Sequence, residues 1–227
     1  MNCRPGIALL IAALTSLGGC AYTGDDIGNP FYRKAQWFSF VGGDDIAGAC
    51  AAGTPDRFRL VYNALWDQQV RIYEWDSAQR QLKTRVVGSG NVAEIRLDDP
   101  ITPWRAEEIG TPLEPAAYDG LVQSLSDSGA FAVPDVGLEL PSHSYYWTTA
   151  SCRRGQFSFT AWRYPSAGFA AASFPARLAA LDPRRESIIT AGPIPLDPMR
   201  EYNRNRGAVM EFTLKIGRNG LDYGLGR

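Results

Sequence analysis

Four cysteines, a single histidine and 24 acidic residues are the groups through which this chain of 227 residues could do covalent, acid-base or metal chemistry. Cys20 follows Leu17-Gly18-Gly19, and the two glycines leave its backbone and nucleophilic thiol open to approach. His143, in Pro141-Ser142-His143-Ser144, is the base that a Ser-His-Asp hydrolase would need. No Gly-x-Ser-x-Gly elbow, glycine-rich phosphate loop or His/Cys zinc set accompanies it. The paired carboxylates Asp44-Asp45 suit the positive end of a short helix, with Asp44 as its N-cap. Asp98-Asp99 and Glu107-Glu108 read as solvated loop residues. No metal and no cofactor is expected, and non-enzymatic action is favoured over catalysis.

Cys20 is set up by what precedes it. Arg4, then 11 mostly apolar residues from Ile7 to Leu17, then small residues, form a secretory signal peptide. As helix the run would cover roughly half of the ~30 Å hydrocarbon core, too little for a permanent span. The Leu17-Gly18-Gly19-Cys20 finish resembles the lipobox of bacterial lipoproteins. That resemblance implies that Cys20 becomes the first mature residue, carries diacylglycerol (palmitate-type chains) on its sulfur and is acylated on its new amine. More than one acyl chain on one residue gives stable anchoring. Lipoproteins kept at the inner membrane often carry Asp after the cysteine. Here Ala21 follows, so the periplasmic face of the outer membrane is the expected location. The expected organisation is a signal peptide over 1–19, a lipidated tether over 20–35, a globular domain over 36–217 and a glycine-rich tail over 218–227.

Removing residues 1–19 takes away Arg4 and no acid, leaving 22 basic and 24 acidic residues, so nucleic acid is not an expected partner. Cys3 leaves with the signal, and Cys50 and Cys152 remain as a pair in an exported protein, which suggests a disulfide. Two buried free thiols or a redox pair are the rival readings, although redox pairs favour Cys-x-x-Cys spacing.

Behind these residues, the periodicities place the elements. Phe58, Leu60 and Tyr62, then Val70 and Ile72, then Leu82, Thr84 and Val86, then Ala93, Ile95 and Leu97 alternate as four short strands of an antiparallel meander. Arg59, Arg71, Lys83, Arg85 and Arg96 interleave with them, implying one wet face. Residues 98–115, with four prolines, read as an irregular connection. Helices are expected from Pro115 to Asp127 and around Phe174, Leu178 and Leu181, the second ending at Asp182-Pro183. Pro193, Pro195 and Pro198 argue against regular structure there, Arg200–Gly207 reads as polar and mobile, and Val209–Ile216 as a last strand.

Residues 142–164 form the clearest hairpin. With Arg154-Gly155 as its turn, Cys152 opposes Phe157, Ala150 opposes Phe159 and Thr148 opposes Ala161 on one face. On the other, Ser151 meets Ser158, Thr149 meets Thr160, Trp147 meets Trp162 and Tyr145 meets Tyr164. Tyr145, Trp147, Trp162 and Tyr164 are the candidate binding surface; the competing reading covers them with a second layer, such as the Trp37–Phe40 segment.

The expected fold is a single α+β domain, an antiparallel sheet of about seven strands built from hairpins with two main helices packed on one side. The order of hairpin, helix ending in Ser128-Gly129-Ala130-Phe131, hairpin and short helix also resembles bacterial lipoprotein domains of unknown function. The expected function is that of an envelope lipoprotein held to the membrane by its N-terminal lipid and binding an envelope protein or cell-wall ligand. A cell-wall or carbohydrate-active enzyme, with distant carboxylates and aromatic subsites, is the alternative.

Overall fold

A computed structural model describes residues 21–66, 68–88, 105–194, 196–206 and 211–223. The signal peptide, Cys20, the strand expected over Ala93–Leu97, Asp98-Asp99 and residues 207–210 lie outside the described residues. The elements are helices α1 (Pro30–Gly42) and α2 (Asp44–Ala49), strands β1 (Arg57–Ala64), β2 (Gln69–Asp76), β3 (Gln81–Gly88) and β4 (Glu107–Pro112), and helix α3 (Pro115–Asp127). Then come β5 (Glu139–Pro141), β6 (Tyr145–Arg153), β7 (Gln156–Arg163), helices α4 (Ala167–Ala171), α5 (Phe174–Leu181) and α6 (Pro198–Asn205), and strands β8 (Thr213–Gly217) and β9 (Gly220–Leu221).

The fold is α+β, as expected, with the strands divided between two sheets. Six form an antiparallel sheet in the order β4-β3-β2-β1-β6-β7, and β5, β8 and β9 form a small second one. The hairpin pairs as read from the sequence, with Cys152 opposite Phe157, Ala150 opposite Phe159 and Trp147 opposite Trp162. Its turn needs positive φ at both central residues, and Arg154 and Gly155 have φ of 52° and 74°. A Cβ on Gly155 would also lie 2.6 Å from the backbone nitrogen of Ala52, so glycine is required there twice over.

The meander differs from expectation at its outer edge. Glu107–Pro112, assigned to the irregular connection, is strand β4 and pairs with β3 through Arg85 opposite Glu108 and Thr84 opposite Ile109. Its proline sits at the strand end on the sheet edge, where a missing N–H leaves no ladder bond broken.

Both faces of the main sheet are covered over its central strands, while Lys83 and Glu108 at the β3–β4 edge keep side chains 37% and 38% exposed. Helices α3 and α5 cover one face, where Leu121, Leu125, Phe174 and Leu178 pack on Phe58, Leu60, Tyr62, Trp147 and Trp162. On the opposite face α1, α2 and the small sheet bring Trp37, Phe40, Ile46, Leu214 and Ile216 onto Val61, Ile72, Ala150 and Phe159. The two expected helices are present on one side, and α1 is an additional layer. The tether is corrected accordingly: Ile27 is 0% and Tyr22 8% exposed, and Asn29-Pro30 opens α1, the Asn29 side chain accepting from Phe31 N. Asparagine at the N-cap and proline at the first helical position are helix-start chemistry, overlooked in a stretch read only for periodicity.

The far C-terminal part is corrected as well. Pro198–Asn205 is helical, with proline in the first turn where its missing N–H costs nothing, and β9 falls in what was read as a loose tail. Helix α3 ends as expected, with Gly129 at φ 79° and Ala130 N–H donating to Leu125 O.

Cys50 and Cys152 are bridged, with Cα atoms 5.5 Å apart and a sequence separation of 102. The bond ties the end of α2 to β6, closing a loop whose restriction of the unfolded chain is worth about 4–5 kcal/mol on the chain-entropy estimate. A Cys50→Ser, Cys152→Ser double variant should unfold at lower urea, its extrapolated stability reduced by about 2–5 kcal/mol. An unchanged urea midpoint would show that the bridge contributes nothing.

Candidate functional site

The aromatic pairs proposed as a binding surface are interior. Trp147 is stacked on Tyr62 with centroids 4.6 Å apart, and its edge meets Phe174 at 5.2 Å. Trp162 packs 4.8 Å from Phe174 and donates its indole N–H to Ser128 O at 3.1 Å. Tyr145, Trp147 and Trp162 are only 5–6% exposed, and Tyr164 lies half-buried against Tyr145 and Phe169. The surface reading is therefore corrected. Its cover comes from α5, while Trp37 and Phe40 pack on the opposite face. Aromatic subsites for a sugar chain lose their support with it.

The arginines that implied a solvated face are instead the charged centres of two covering layers. Arg59 points toward α1 and α2. Its guanidinium donates to Asp45 at 2.7 and 3.0 Å, to Glu74 at 2.8 Å and to Phe40 O at 2.9 Å, with its carbon 3.8 Å from the Phe40 ring centroid. Glu74 passes the chain of alternating charge on to Arg85, and Arg85 to Glu108. Burial disfavours charge on Glu74, but Arg59 and Arg85 outweigh it and hold the carboxyl below the usual carboxylate range. Burial likewise works against the charge of Arg59, and Glu74 and Asp45 overcome it.

On the other face Arg71, 0% exposed, pairs with the equally buried Asp182 at the end of α5. The same guanidinium donates to Gln69 Oε1 at 2.9 Å, Arg184 O at 3.0 Å and Ser187 Oγ at 2.6 Å. Asp182 also accepts from the Tyr73 hydroxyl at 2.7 Å and from Arg184 N. Burial, then the bond to Asp182, pushes the Tyr73 phenol far up. With its hydrogen-bonding capacity spent internally, this cluster is built to hold and not to bind.

The other sequence candidates are similarly committed. Asp44 is the first residue of α2, with Gly43 at φ 74° as the cap, and its carboxylate accepts from Ser39 Oγ at 2.8 Å. Asp45 is taken up by Arg57 and Arg59. The serines beside His143 are engaged with backbone: Ser144 Oγ donates to Pro141 O, and Ser142 Oγ accepts from Phe212 N. Among the described residues no three His, Cys, Asp or Glu side chains come together in a metal-binding group. A groove of about 310 Å³ flanks the disulfide, but Asp76 on its wall accepts from Ala78 N and Gln79 N, and Arg57 is turned to Asp45.

What the sequence reading missed is the outer side of α1. Its inner side carries Trp37, Phe40 and Val41 into the core, and Arg33 donates to Gly28 O at 2.9 Å. Phe31, Ala35 and Phe38, at helical spacings of four and three, share the opposite stripe, flanked by Tyr32 and Lys34. Phe31 is 71%, Tyr32 45% and Phe38 43% exposed. The incoming chain is fastened to the same helix: Tyr22 N–H donates to Ser39 Oγ at 2.9 Å, and its ring meets Phe40 edge-on at 4.9 Å. The chain matches no protein-family model and no curated protein.

The position of Glu74 carries a pH consequence. A carboxyl held low in the folded state stabilises the fold above its unfolded value, and that contribution is lost as pH falls through the folded value. Stability of the native protein should therefore drop below about pH 4, and Glu74→Gln should lower stability at neutral pH while flattening this acid limb. Urea midpoints measured from pH 7 to pH 3 would show the two proteins converging; a constant difference across that range would contradict the assignment.

Proposed function

We propose that this chain is an exported, lipid-anchored envelope protein whose domain acts by non-catalytic contact at the periplasmic face of the outer membrane. Cys20 is the anchoring residue. Its sulfur forms a thioether to a diacylglyceryl group taken from a phospholipid, whose headgroup departs with the thiol proton. Hydrolysis of the Gly19-Cys20 peptide bond then frees an amine for acylation.

The observation that carries this reading is the Cys50–Cys152 bridge, because disulfides of this kind form and persist in oxidising, extracytoplasmic compartments. The apolar run before Cys20 and the Leu17-Gly18-Gly19-Cys20 sequence supply the route and the attachment. The function of such a domain is to present a rigid surface to an envelope protein or cell-wall ligand while the lipid confines it to the bilayer.

Intact-mass measurement on the protein purified from native membranes tests this. The expected mature chain begins at Cys20 and carries two or three acyl chains, and Cys20→Ser should accumulate as an uncleaved precursor. An unacylated native protein, or one cut at another bond, would overturn the proposal.

A further inference from the structure

We infer that the outer face of α1, formed by Phe31, Tyr32, Lys34 and Phe38, rests in the headgroup region of the bilayer that holds the lipidated Cys20. The inference depends on the lipid-anchor reading and adds to it an orientation. A sixteen-residue tether between lipid and domain would let the domain wander over about 20 Å. The structure leaves no such tether. Tyr22, two residues after Cys20, is buried, with its N–H on Ser39 Oγ, and Ile27 is fully buried beneath α1. Two residues reach at most about 7 Å, so the acyl chains would enter the membrane within that distance of Tyr22, which is tied to Ser39 in the last turn of α1.

The outer surface of the same helix has the composition that an interface requires. Aromatic residues on one side of a helix, with lysine at the margin, are how interfacial helices lie at the boundary between headgroups and acyl chains. Phe31 is 71% exposed and Phe38, although one edge of its ring meets Phe212 at 5.3 Å, still leaves 43% of its surface outward, so this stripe is only partly used by packing inside the domain. Tyr223, 46% exposed with its hydroxyl 3.3 Å from Phe38 O, extends the aromatic patch from the C-terminal side. The acids near this end are turned to partners, Asp25 to Gln36 at 2.6 Å and Asp26 to Arg105 at 2.7 Å, and Lys34 presents positive charge to anionic headgroups. A lipid surface is the occupant that the short reach dictates, because the same acyl chains that anchor the chain hold this helix against the membrane.

The test uses the full-length lipidated protein in phosphatidylethanolamine and phosphatidylglycerol vesicles with brominated acyl chains. A fluorescent probe is attached through Phe31→Cys or Lys34→Cys, or through Ala180→Cys on the exposed side of α5 across the sheet. Cys50 and Cys152 are bridged and Cys20 is alkylated, so only the introduced thiol reacts. Lys34 and Ala180 are exposed, and a melting temperature equal to that of the native protein checks each fold. The proposal expects severalfold stronger quenching by brominated lipid at both α1 positions than at Ala180, and shielding of those positions from aqueous iodide. Equal quenching at the two faces overturns it. So does shielding from iodide without lipid quenching, which would mean that a protein partner or second copy covers the face. The mass of the same sample separates the two claims: acylated protein with unquenched α1 probes refutes only the orientation, whereas unacylated protein refutes the anchor and the orientation together.

Discussion

Two buried guanidinium groups, projecting from neighbouring strands to opposite faces of one sheet, set the constraint that the remaining architecture satisfies. A buried charge without a partner costs several kcal/mol, so each arginine requires a covering layer that supplies carboxylates and carbonyls in the right places. Arg59 obtains Asp45 and Phe40 O from the α1 and α2 layer, and Arg71 obtains Asp182, Arg184 O and Ser187 from the end of α5 and the turn after it. Hydrophobic burial supplies most of the attraction between sheet and helices. The ion pairs fix where each layer sits, because a helix shifted by one residue would bury its acid away from the arginine. The disulfide adds a third fastening, from the end of α2 to the end of β6.

How far the sequence discloses this structure depends on whether a pattern is local. The hairpin from Tyr145 to Arg163 was legible pair by pair, since a two-residue turn fixes the register of everything beyond it. Helices α3 and α5 were legible from proline at the start and Gly129 or Asp182-Pro183 at the end. The arginines misled because alternation reports only which residues share a face. Whether a polar set meets water or a partnered layer is settled by Asp45, 14 residues away, and by Asp182, 111 residues away. Trp147 and Trp162 misled in the same manner: register gave their pairing, and only the placement of Phe174 and Leu178 decides that they are interior. Helix α1 was within reach, since Asn29-Pro30 is a start signal, but a stretch next to an anchor invites being read as linker.

These constraints bear on function by removing candidates. With both faces of the sheet covered over its central strands and Arg59 and Arg71 paired, the aromatic pairs of the hairpin and these buried arginines belong to the fold. The outward aromatic side of α1 is only partly used by internal packing, through the Phe38–Phe212 contact, and it lies on the helix to whose last turn the chain from Tyr22 is tied. Under the proposed lipid attachment at Cys20, anchor and helix would form one device: a domain held close to a surface in a fixed attitude, with its remaining sides turned to the periplasmic space.

Amide hydrogen exchange on the native protein and on Arg71→Met tests most directly the claim that each buried arginine fastens its own layer. The account predicts faster exchange confined to Phe174–Ser187 and the strand segments beneath it, with α1 and α2 as protected as in the native protein. Loss of protection in both layers together, or no change in either, would contradict it.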